Sequence, residues 1–288
     1  MKILILTSGG DAPGMNKVIA LMQKKFKDSL YACEEGFKGL IEGKIALAST
    51  FSPLASENEA GSCIRCSRCP EFKTKKGFKK ALENAKRFDY VVVLGGNGSY
   101  KGCCELNENG VKTIFIPSTI DNDVKISEYS QGFDSALHAC KYVIENTMPT
   151  MAAFKRCAIF EVMGRECPLL AQSTQEEENC YYLIASQKDI DFQKISDIIN
   201  ENYRQNLATS IIIKERLLSS EELISKLSVL CPNVEMRYIK VGYLQRGVKP
   251  TKKELYFAKN FARLAIKLIK ENKKSRAIIY KNNAFQTY

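Results

Sequence analysis

After Met1-Lys2 the chain reads Ile3-Leu4-Ile5-Leu6-Thr7-Ser8-Gly9-Gly10-Asp11-Ala12-Pro13-Gly14-Met15-Asn16, an apolar run of strand length that passes into a glycine-rich loop. A stretch with helical periodicity follows at residues 16–27. This order of strand, glycine loop and helix is typical of a βαβ unit, in which crossover helices join parallel strands. The first residues therefore predict an α/β fold with a mainly parallel sheet.

The same alternation of β-rich and helix-period stretches continues to the other end of the chain. Further strands are expected at residues 90–94, 113–116, 158–162, 181–184, 209–213, 237–241 and 277–280. Further helices are expected at residues 77–87, 101–109, 134–146, 191–205, 220–230 and 252–270. Strands that alternate with helices in this way indicate successive parallel βαβ units.

Length and composition limit the class of protein. A chain of 288 residues, 45% hydrophobic and 26% charged, is long enough for one large or two medium domains. The longest apolar runs, such as residues 90–94, fall far short of the roughly 20 residues that span a bilayer. Met1-Lys2 does not resemble a signal or transit segment, so we expect none. We expect a protein of the cytoplasm without a membrane span.

A formal net charge of +11 favours anionic partners, which include phosphorylated metabolites and nucleic acid. Much of the excess is lysine on helix-like stretches, where a solvated face is the ordinary reading. No RNA-binding signature interleaves aromatic residues with the basic ones. Phosphorylated small molecules are therefore expected as partners, and nucleic acid is not.

Cysteine and histidine offer little chemistry. The eleven cysteines predict reduced thiols, because no secretory feature accompanies them. Cys63, Cys66 and Cys69 resemble the opening of a ferredoxin-type iron–sulfur motif, but Lys73 stands where the fourth cysteine is due, which favours incidental thiols. The single histidine, His138, lies in a helix-like run and is read as structural. Acid–base chemistry must fall to carboxylates.

Loops that directly follow parallel strands are where ligands bind in such sheets. Besides residues 7–16, the candidate loops are residues 95–100, residues 117–123 and Met163-Gly164-Arg165. Glycines between a strand and a helix let backbone N–H groups approach an anion. Neither glycine loop matches the Walker A or dinucleotide pattern cleanly, so a tight turn without a ligand stays an alternative.

Asp121 and Asp123 add specificity, because two carboxylates one residue apart can serve one volume. One can accept a proton while the other holds a metal. Phosphoryl transfer needs such a base, Mg²⁺ across the phosphates and cations for the transition state. The candidate cations, each of which could equally be a solvated surface residue, are Arg68, Arg156, Arg165, Arg237 and Arg246.

Several of these motifs together resemble the phosphofructokinase family, in its bacterial short form of ATP-dependent type. The matching stretches are residues 7–16, 95–102, 119–123, 132–133, 161–165 and 245–247. The resemblance implies two Rossmann-like three-layer α/β/α domains with mainly parallel sheets. Residues 1–132 plus 247–288 would form the ATP-binding domain, and residues 133–246 the sugar-phosphate-binding domain.

The resemblance also implies a reaction, the Mg²⁺-dependent transfer of the ATP γ-phosphoryl group to the 1-hydroxyl of fructose 6-phosphate in glycolysis. Asp121 would be the base, while Thr119 and Arg165 would stabilise the transferring group. Asn97 and Asp123 would lie at the metal. Family relatives also act as allosteric enzymes, although Ala20 replaces an arginine that their nucleotide effector site uses.

The binding residues follow in the same way. The ATP site would contain Gly10, Arg68, Cys69, Gly98, Ser99 and Gly102. The sugar-phosphate site would contain Thr119, Asp121, Met163, Gly164, Arg165, Glu215, Tyr243 and Arg246, with Arg156 and Arg237 from a neighbouring subunit. Shared active sites of this kind would require self-association, as a homotetramer or a homodimer.

Two positions separate ATP-using from pyrophosphate-using relatives. Gly98 matches the ATP users, and Ser118 matches neither type but leaves the room that a lysine side chain would fill. ATP is therefore the expected donor.

Asn97 is the main departure from the family pattern, which has an aspartate there as a Mg²⁺-associated carboxylate. The first hypothesis is an active enzyme in which Asp123 and the nucleotide phosphates compensate. The alternative is a weakly active or non-catalytic relative that binds the ligands as a regulatory subunit. The intact Asp121 favours the first.

Overall fold

A computed structural model describes residues 1–273 and 276–288, which divide into two compact units. The first unit comprises Met1–Ser135 and Arg246–Tyr288, and the second comprises Ala136–Gln245. The strands of the first unit are β1 (Ile3–Ser8), β2 (Leu30–Cys33), β3 (Ile45–Leu47), β4 (Tyr90–Gly95), β5 (Thr113–Pro117), β10 (Arg276–Lys281) and β11 (Ala284–Thr287). Those of the second are β6 (Cys157–Val162), β7 (Tyr182–Ile184), β8 (Thr209–Lys214) and β9 (Met236–Lys240).

The helices follow the strands as the sequence pattern requires. They are α1 (Met15–Phe26), α2 (Gly36–Glu42), α3 (Lys75–Ala85), α4 (Asn97–Glu108), α5 (Phe133–Ala153), α6 (Leu169–Glu178), α7 (Phe192–Arg204), α8 (Ser220–Leu230), α9 (Leu244–Gly247) and α10 (Lys252–Lys270). Side chains of Thr74, Asp191 and Thr251 cap α3, α7 and α10 by accepting a backbone N–H of the first turn.

The first unit contains a seven-stranded sheet in the order β11-β10-β5-β4-β1-β2-β3. All neighbours pair in parallel except the outermost pairs, β2 with β3 and β10 with β11, which are antiparallel. Strands β1 and β4 are fully buried, as near-continuous apolar runs in parallel sheets are. Leu4, Leu6, Val91 and Val93 lie in the core of this unit.

The second unit contains a four-stranded parallel sheet in the order β7-β8-β6-β9. Its core includes Ile159, Ile211 and Ile213, together with Ile195 and Ile199 from α7. The expected α/β fold with two mainly parallel sheets is therefore confirmed.

Several elements differ from the sequence expectation. The chain also forms β2, β3, β11, α2, α6 and the short α9. Helix α4 begins at Asn97, within residues 95–100, which were expected to form a loop. Gly96 is the N-cap of this helix. In the part of the chain that the structure describes, no helix is both long and apolar enough to cross a membrane.

Candidate functional site

Three strands of the first sheet end level with one another. Ser8 of β1 pairs with Gly95 of β4, and Gly95 pairs with Pro117 of β5. The loops that follow these strands therefore start side by side at one edge of the sheet, where ligands bind in parallel α/β sheets. The structure brings together the two glycine loops and the Asp121–Asp123 loop that the sequence singled out.

Ser99 joins the two glycine loops. Its hydroxyl donates a hydrogen bond of 3.1 Å to the backbone oxygen of Ser8, and the side chain is buried. A Cβ on Gly95 would collide with the Ser99 hydroxyl and the Ser8 carbonyl, so glycine is needed for this approach. Gly98, in the first turn of α4, is exposed with open space around it. Bare backbone at the start of a twelve-residue helix suits an anion.

The Asp121–Asp123 loop carries its carboxylates half-buried. The backbone N–H of Asp121 donates to the Thr119 hydroxyl at 3.3 Å. The Asn97 side-chain amide donates to both the backbone oxygen and the Oδ2 of Asp123, each at 2.9 Å. Asn97 therefore orients the Asp123 carboxylate from the first turn of α4.

The Asp121–Asp123 loop offers Mg²⁺ only part of a ligand set. Across the residues that the structure describes, no three His, Cys, Asp or Glu side chains form a group that could hold a metal ion. Mg²⁺ is commonly held through one or two carboxylates together with substrate phosphates and water. The Asp123 carboxylate, oriented by Asn97, fits that mode and does not form a complete protein cage.

Neutral groups hold the backbone of the same loop. The Ser130 hydroxyl donates to the Thr119 carbonyl at 2.7 Å, and the Asn122 Oδ1 accepts from the Ser130 backbone N–H at 2.7 Å. Asn122 itself adopts φ 50°, a left-handed conformation that asparagine tolerates. Ser118 is fully buried and donates to the Gln131 Oε1 at 2.9 Å. Its side chain thus points into the fold and not toward the open edge.

Arg246 lies beside the first glycine loop. Its Nη1 donates to the Asp11 backbone oxygen at 3.2 Å and is 3.5 Å from the Asp11 carboxylate. A Cβ on Gly10 would overlap the Arg246 guanidinium. Arg246 therefore belongs to the first unit, although the sequence placed it in the range of the sugar-phosphate domain.

The segment that carries Arg68 is tied to the first glycine loop. Gly9 donates its N–H to the Ser67 carbonyl at 3.0 Å, and the buried Asn16 side chain accepts from the Cys63 N–H at 2.7 Å. Arg68 is exposed, and Cys69 is half-buried against the core of this unit. Arg68 can therefore reach a ligand from a fixed backbone.

The cysteines of this segment, Cys63, Cys66 and Cys69, are partly buried. Burial raises the pKa of Cys63 and of Cys66 to about 11, and it also raises the pKa of Cys69. Binding to a metal would therefore require these thiols to lose their protons. Cys63, Cys66 and Cys69 are not in disulfides.

Gly102 faces an aromatic pair. The rings of Phe37 and Phe72 lie 4.2 Å apart between centroids, and a Cβ on Gly102 would press against both. Beside Phe72 lies an open groove of about 230 Å³, which Lys73, Phe78 and Glu105 also line. The groove is lined mainly by polar and charged residues, and the rings of Phe72 and Phe78 form its apolar part.

In the second unit, the loop Met163-Gly164-Arg165 follows β6 and is held by side chains from two places. The buried Gln245 accepts from the Met163 N–H at 3.1 Å. Glu215 Oε1 accepts from the Gly164 N–H at 3.4 Å and from the Arg165 N–H at 3.0 Å. One oxygen of Glu215, a residue expected to hold sugar, therefore organises the loop.

Arg156 and Arg237 share one counter-ion. The Arg156 Nε donates to Glu235 Oε2 at 2.5 Å, and Arg237 pairs with the other Glu235 oxygen. The Phe154 ring covers the Arg156 guanidinium at 4.2 Å. Tyr243 is 82% exposed. Arg156 and Arg237 thus form a pair of cations around Glu235 in the second unit.

The sequence assigned no role to the residues that hold these loops. They are Asn16, Ser130, Gln131, Lys214 and Gln245. The signal available for Lys214 was its charge at the end of an otherwise apolar strand. The hydroxyl and amide anchors carry no such signal, because their partners are distant in sequence.

Comparisons with known proteins agree with this architecture. The family model described as "Phosphofructokinase" matches residues 2–269. The chain is 34% identical to the ATP-dependent 6-phosphofructokinase of Mesomycoplasma hyopneumoniae strain 7448, over 100% of this chain and 91% of the relative. It is 32% identical to the enzyme of that name from Bacillus licheniformis, over 98% and 90% of the two chains.

Solved structures share the fold. The T-state phosphofructokinase of Pichia pastoris superimposes with a TM-score of 0.87 at 24% identity, over 99% of this chain and 34% of that much longer one. The pyrophosphate-dependent phosphofructokinase of Marinobacter aquaeolei gives a TM-score of 0.82 at 15% identity, over 100% and 81% of the chains. Identities this low support the fold alone.

Proposed function

Because the chain belongs to the phosphofructokinase family, we propose that it is an ATP-dependent 6-phosphofructokinase. It transfers the γ-phosphoryl group of ATP to the 1-hydroxyl of fructose 6-phosphate and gives fructose 1,6-bisphosphate. Residues 1–132 plus 247–288 bind ATP, and residues 133–246 bind the sugar phosphate. It works in the cytoplasm as a homotetramer or homodimer whose subunits share active sites.

One observation carries the proposal. Two carboxylates, Asp121 and Asp123, follow a strand whose end is level with the ends of two strands that lead into glycine loops. Phosphoryl transfer needs an anion cradle and acidic groups close together. The level strand ends place these two elements next to each other.

Asp121 is the general base in this mechanism. Its carboxylate takes the proton from the sugar 1-hydroxyl as that oxygen attacks the γ-phosphorus and the bond to the ADP oxygen breaks. The Thr119 hydroxyl, which accepts from the Asp121 N–H, can turn its proton toward the transferring group. Bound Mg²⁺ supplies positive charge to the phosphates, and Asp123 is the residue that would hold it.

Arginines provide the remaining charge. Arg165 stabilises the transferring group, and Arg246 contacts the sugar 6-phosphate together with Arg156 and Arg237 of a neighbouring subunit. The planar guanidinium fork suits phosphate oxygens in each case. Other sugar contacts are assigned to Met163, Gly164, Glu215 and Tyr243. ATP contacts are assigned to Gly10, Arg68, Cys69, Gly98, Ser99 and Gly102.

ATP is the proposed donor for a steric reason. Gly98 is exposed with nothing near the place of a Cβ, which leaves space for the nucleotide at the first turn of α4. The Ser118 side chain points into the fold, so it does not cover the edge of the sheet where β1, β4 and β5 end.

A coupled assay on the purified protein tests this function. Fructose 6-phosphate, Mg²⁺ and either ATP or pyrophosphate are supplied, and turnover is expected with ATP only. Turnover with pyrophosphate alone would reverse the donor assignment. Binding of ATP and fructose 6-phosphate without turnover from either donor would favour the regulatory-subunit alternative, for which Asn97 is the motivating residue.

A further inference from the structure

Lys214 is an unusually buried lysine at the end of β8. Only 9% of it is exposed, and it directly follows the core residues Ile211 to Ile213. Burying an ammonium group is unfavourable unless hydrogen bonds compensate it. Its Nζ donates a hydrogen bond of 2.7 Å to the backbone oxygen of Arg165. A buried, charged side chain therefore hydrogen-bonds to the backbone of the loop that bears Arg165.

Lys214 and Glu215 hold the same loop residue from both sides. Lys214 donates to the Arg165 carbonyl, and Glu215 Oε1 accepts from the Arg165 N–H at 3.0 Å. Hydrogen bonds with an ionised partner are roughly twice as strong as neutral ones. We call these two contacts on Arg165 the clamp. Lys214 starts beside the loop because it pairs with Val162, the residue just before Met163.

The backbone that the clamp holds is strained. Arg165 has φ 41°, in the left-handed region that non-glycine residues disfavour, and Gly164 has φ 154°. Such conformations persist only where the surroundings enforce them. The Cγ and Cδ of Lys214 would both lie 3.6 Å from a Cβ at Gly164, so the lysine stem also packs beneath the glycine.

We propose that Lys214 is a positioning residue for Arg165, whose ammonium holds the left-handed backbone that directs the Arg165 guanidinium at the transferring phosphoryl group. This inference rests on the proposed function, because Arg165 acts in that reaction. Lys214 does not touch the reacting atoms in this account. Its effect passes entirely through the orientation of Arg165.

A double-mutant cycle tests the inference. Lys214→Met keeps the apolar stem and removes the donor, so kcat should fall roughly 10- to 100-fold, as small displacements of a catalytic group do. The KM for ATP should not change. In an Arg165→Gln background the same Lys214→Met substitution should have little further effect on kcat, because the group it positions is already absent. Lys214→Arg, which keeps a cationic donor, should restore part of the rate.

Lys240→Met is the matched control. Lys240 ends the neighbouring strand β9, is exposed, and lies 3.9 Å from Glu161 rather than on the loop. It should keep the parental kcat. Should Lys214→Met fail to fold, Lys214→Gln enters the cycle in its place.

Two results overturn the inference while leaving the function intact. One is an equal fold-decrease in kcat from Lys214→Met in the unmodified and the Arg165→Gln protein. The other is an unchanged kcat for Lys214→Met with only a lower melting temperature. Absence of turnover in the unmodified protein with either donor would overturn the proposed function and, with it, this inference.

Discussion

The loops Thr119 to Asp123 and Met163 to Arg165 are similar in position but differ in the charge of the groups that hold their backbones. Each follows a buried strand and presents charged side chains. The first is held by neutral groups, with Ser130 on the Thr119 carbonyl. The second is held largely by charged groups, with Lys214 on the Arg165 carbonyl and Glu215 on two N–H groups.

The difference follows from the charge that each loop presents. The Ser130 and Asn122 hydrogen bonds hold the backbone of the first loop without adding a charge of their own. The loop that presents Arg165 has no proton to exchange, because the guanidinium stays charged throughout. Charged anchors can therefore be used there without altering the chemistry.

Replacing Asp121 by Asn should have the largest effect. The amide keeps the size of the side chain and removes the base, so kcat should fall roughly 10²- to 10⁴-fold. Nucleotide affinity, measured by calorimetry, should stay close to that of the unmodified protein. Asp123→Asn is the matched control two residues away, and it should instead raise the Mg²⁺ concentration needed for activity. Equal responses of the two variants would remove the distinction between base and metal ligand.

Replacing Arg165 by Gln should be the next largest effect. The loss of one positioned donor to developing charge lowers kcat roughly 10²- to 10³-fold. Arg216→Gln provides the control, because Arg216 lies in the same unit, is exposed and also has a positive φ of 68°. If both variants lose the same fraction of kcat, the loss comes from the change at a residue with positive φ and not from a lost contact of Arg165 with the phosphoryl group. Steady-state kinetics with fructose 6-phosphate distinguishes the two cases.

Glu254 is a buried titratable group of the first unit. It accepts from the Tyr129 hydroxyl at 3.1 Å and the Ser135 hydroxyl at 3.2 Å, and burial raises its pKa from 4.5 to about 7. A raised carboxyl pKa in the folded state means that folding binds a proton, so stability is greatest below the unfolded pKa. Stability then falls as the pH rises through about 7.

Glu254→Gln should abolish this pH dependence. The raised pKa corresponds to about 3 kcal/mol of unfolding free energy lost between the protonated and ionised forms. Urea unfolding between about pH 5 and pH 8 should therefore show a declining stability in the unmodified protein relative to the variant. Parallel profiles for the two proteins would mean that Glu254 does not titrate in this range.

Asn97→Asp should have the smallest effect of the four. The substitution removes two hydrogen bonds to Asp123 and sets a second carboxylate beside it. Because a divalent cation relieves the resulting repulsion, the Mg²⁺ concentration for half-maximal activity should fall several-fold. An unchanged Mg²⁺ dependence would show that Asn97 is not the weak point of the site.

Much of the fold could be predicted from local pattern. The bounds of α8 and α10 match the expected residues 220–230 and 252–270, because both helices begin after a capping residue and keep a clear period. Strands β2 and β3 were missed, since they are short and lie at one side of the sheet where neighbours, not local sequence, decide pairing.

The site was predictable in its motifs but not in its supports. Asp121, Asp123 and the glycine loops were found because they follow strands, and parallel strand ends meet at one edge. Asn97 was noted as a departure, yet its hydrogen bonds to Asp123 depend on how α4 meets the next loop. The clamp of Lys214 on Arg165 joins residues 49 apart in sequence, which no local pattern indicates.

A single-turnover experiment shows whether the bound ATP transfers its γ-phosphoryl group to the sugar. Enzyme in excess over ATP is mixed with Mg²⁺ and fructose 6-phosphate, quenched over time, and the sugar product is identified by phosphorus NMR. We predict that the γ-phosphoryl group appears on the 1-oxygen as fructose 1,6-bisphosphate, with one ADP for each product, and that Asp121→Asn slows this step. ATP that stays bound and unreacted in the unmodified protein would contradict the account.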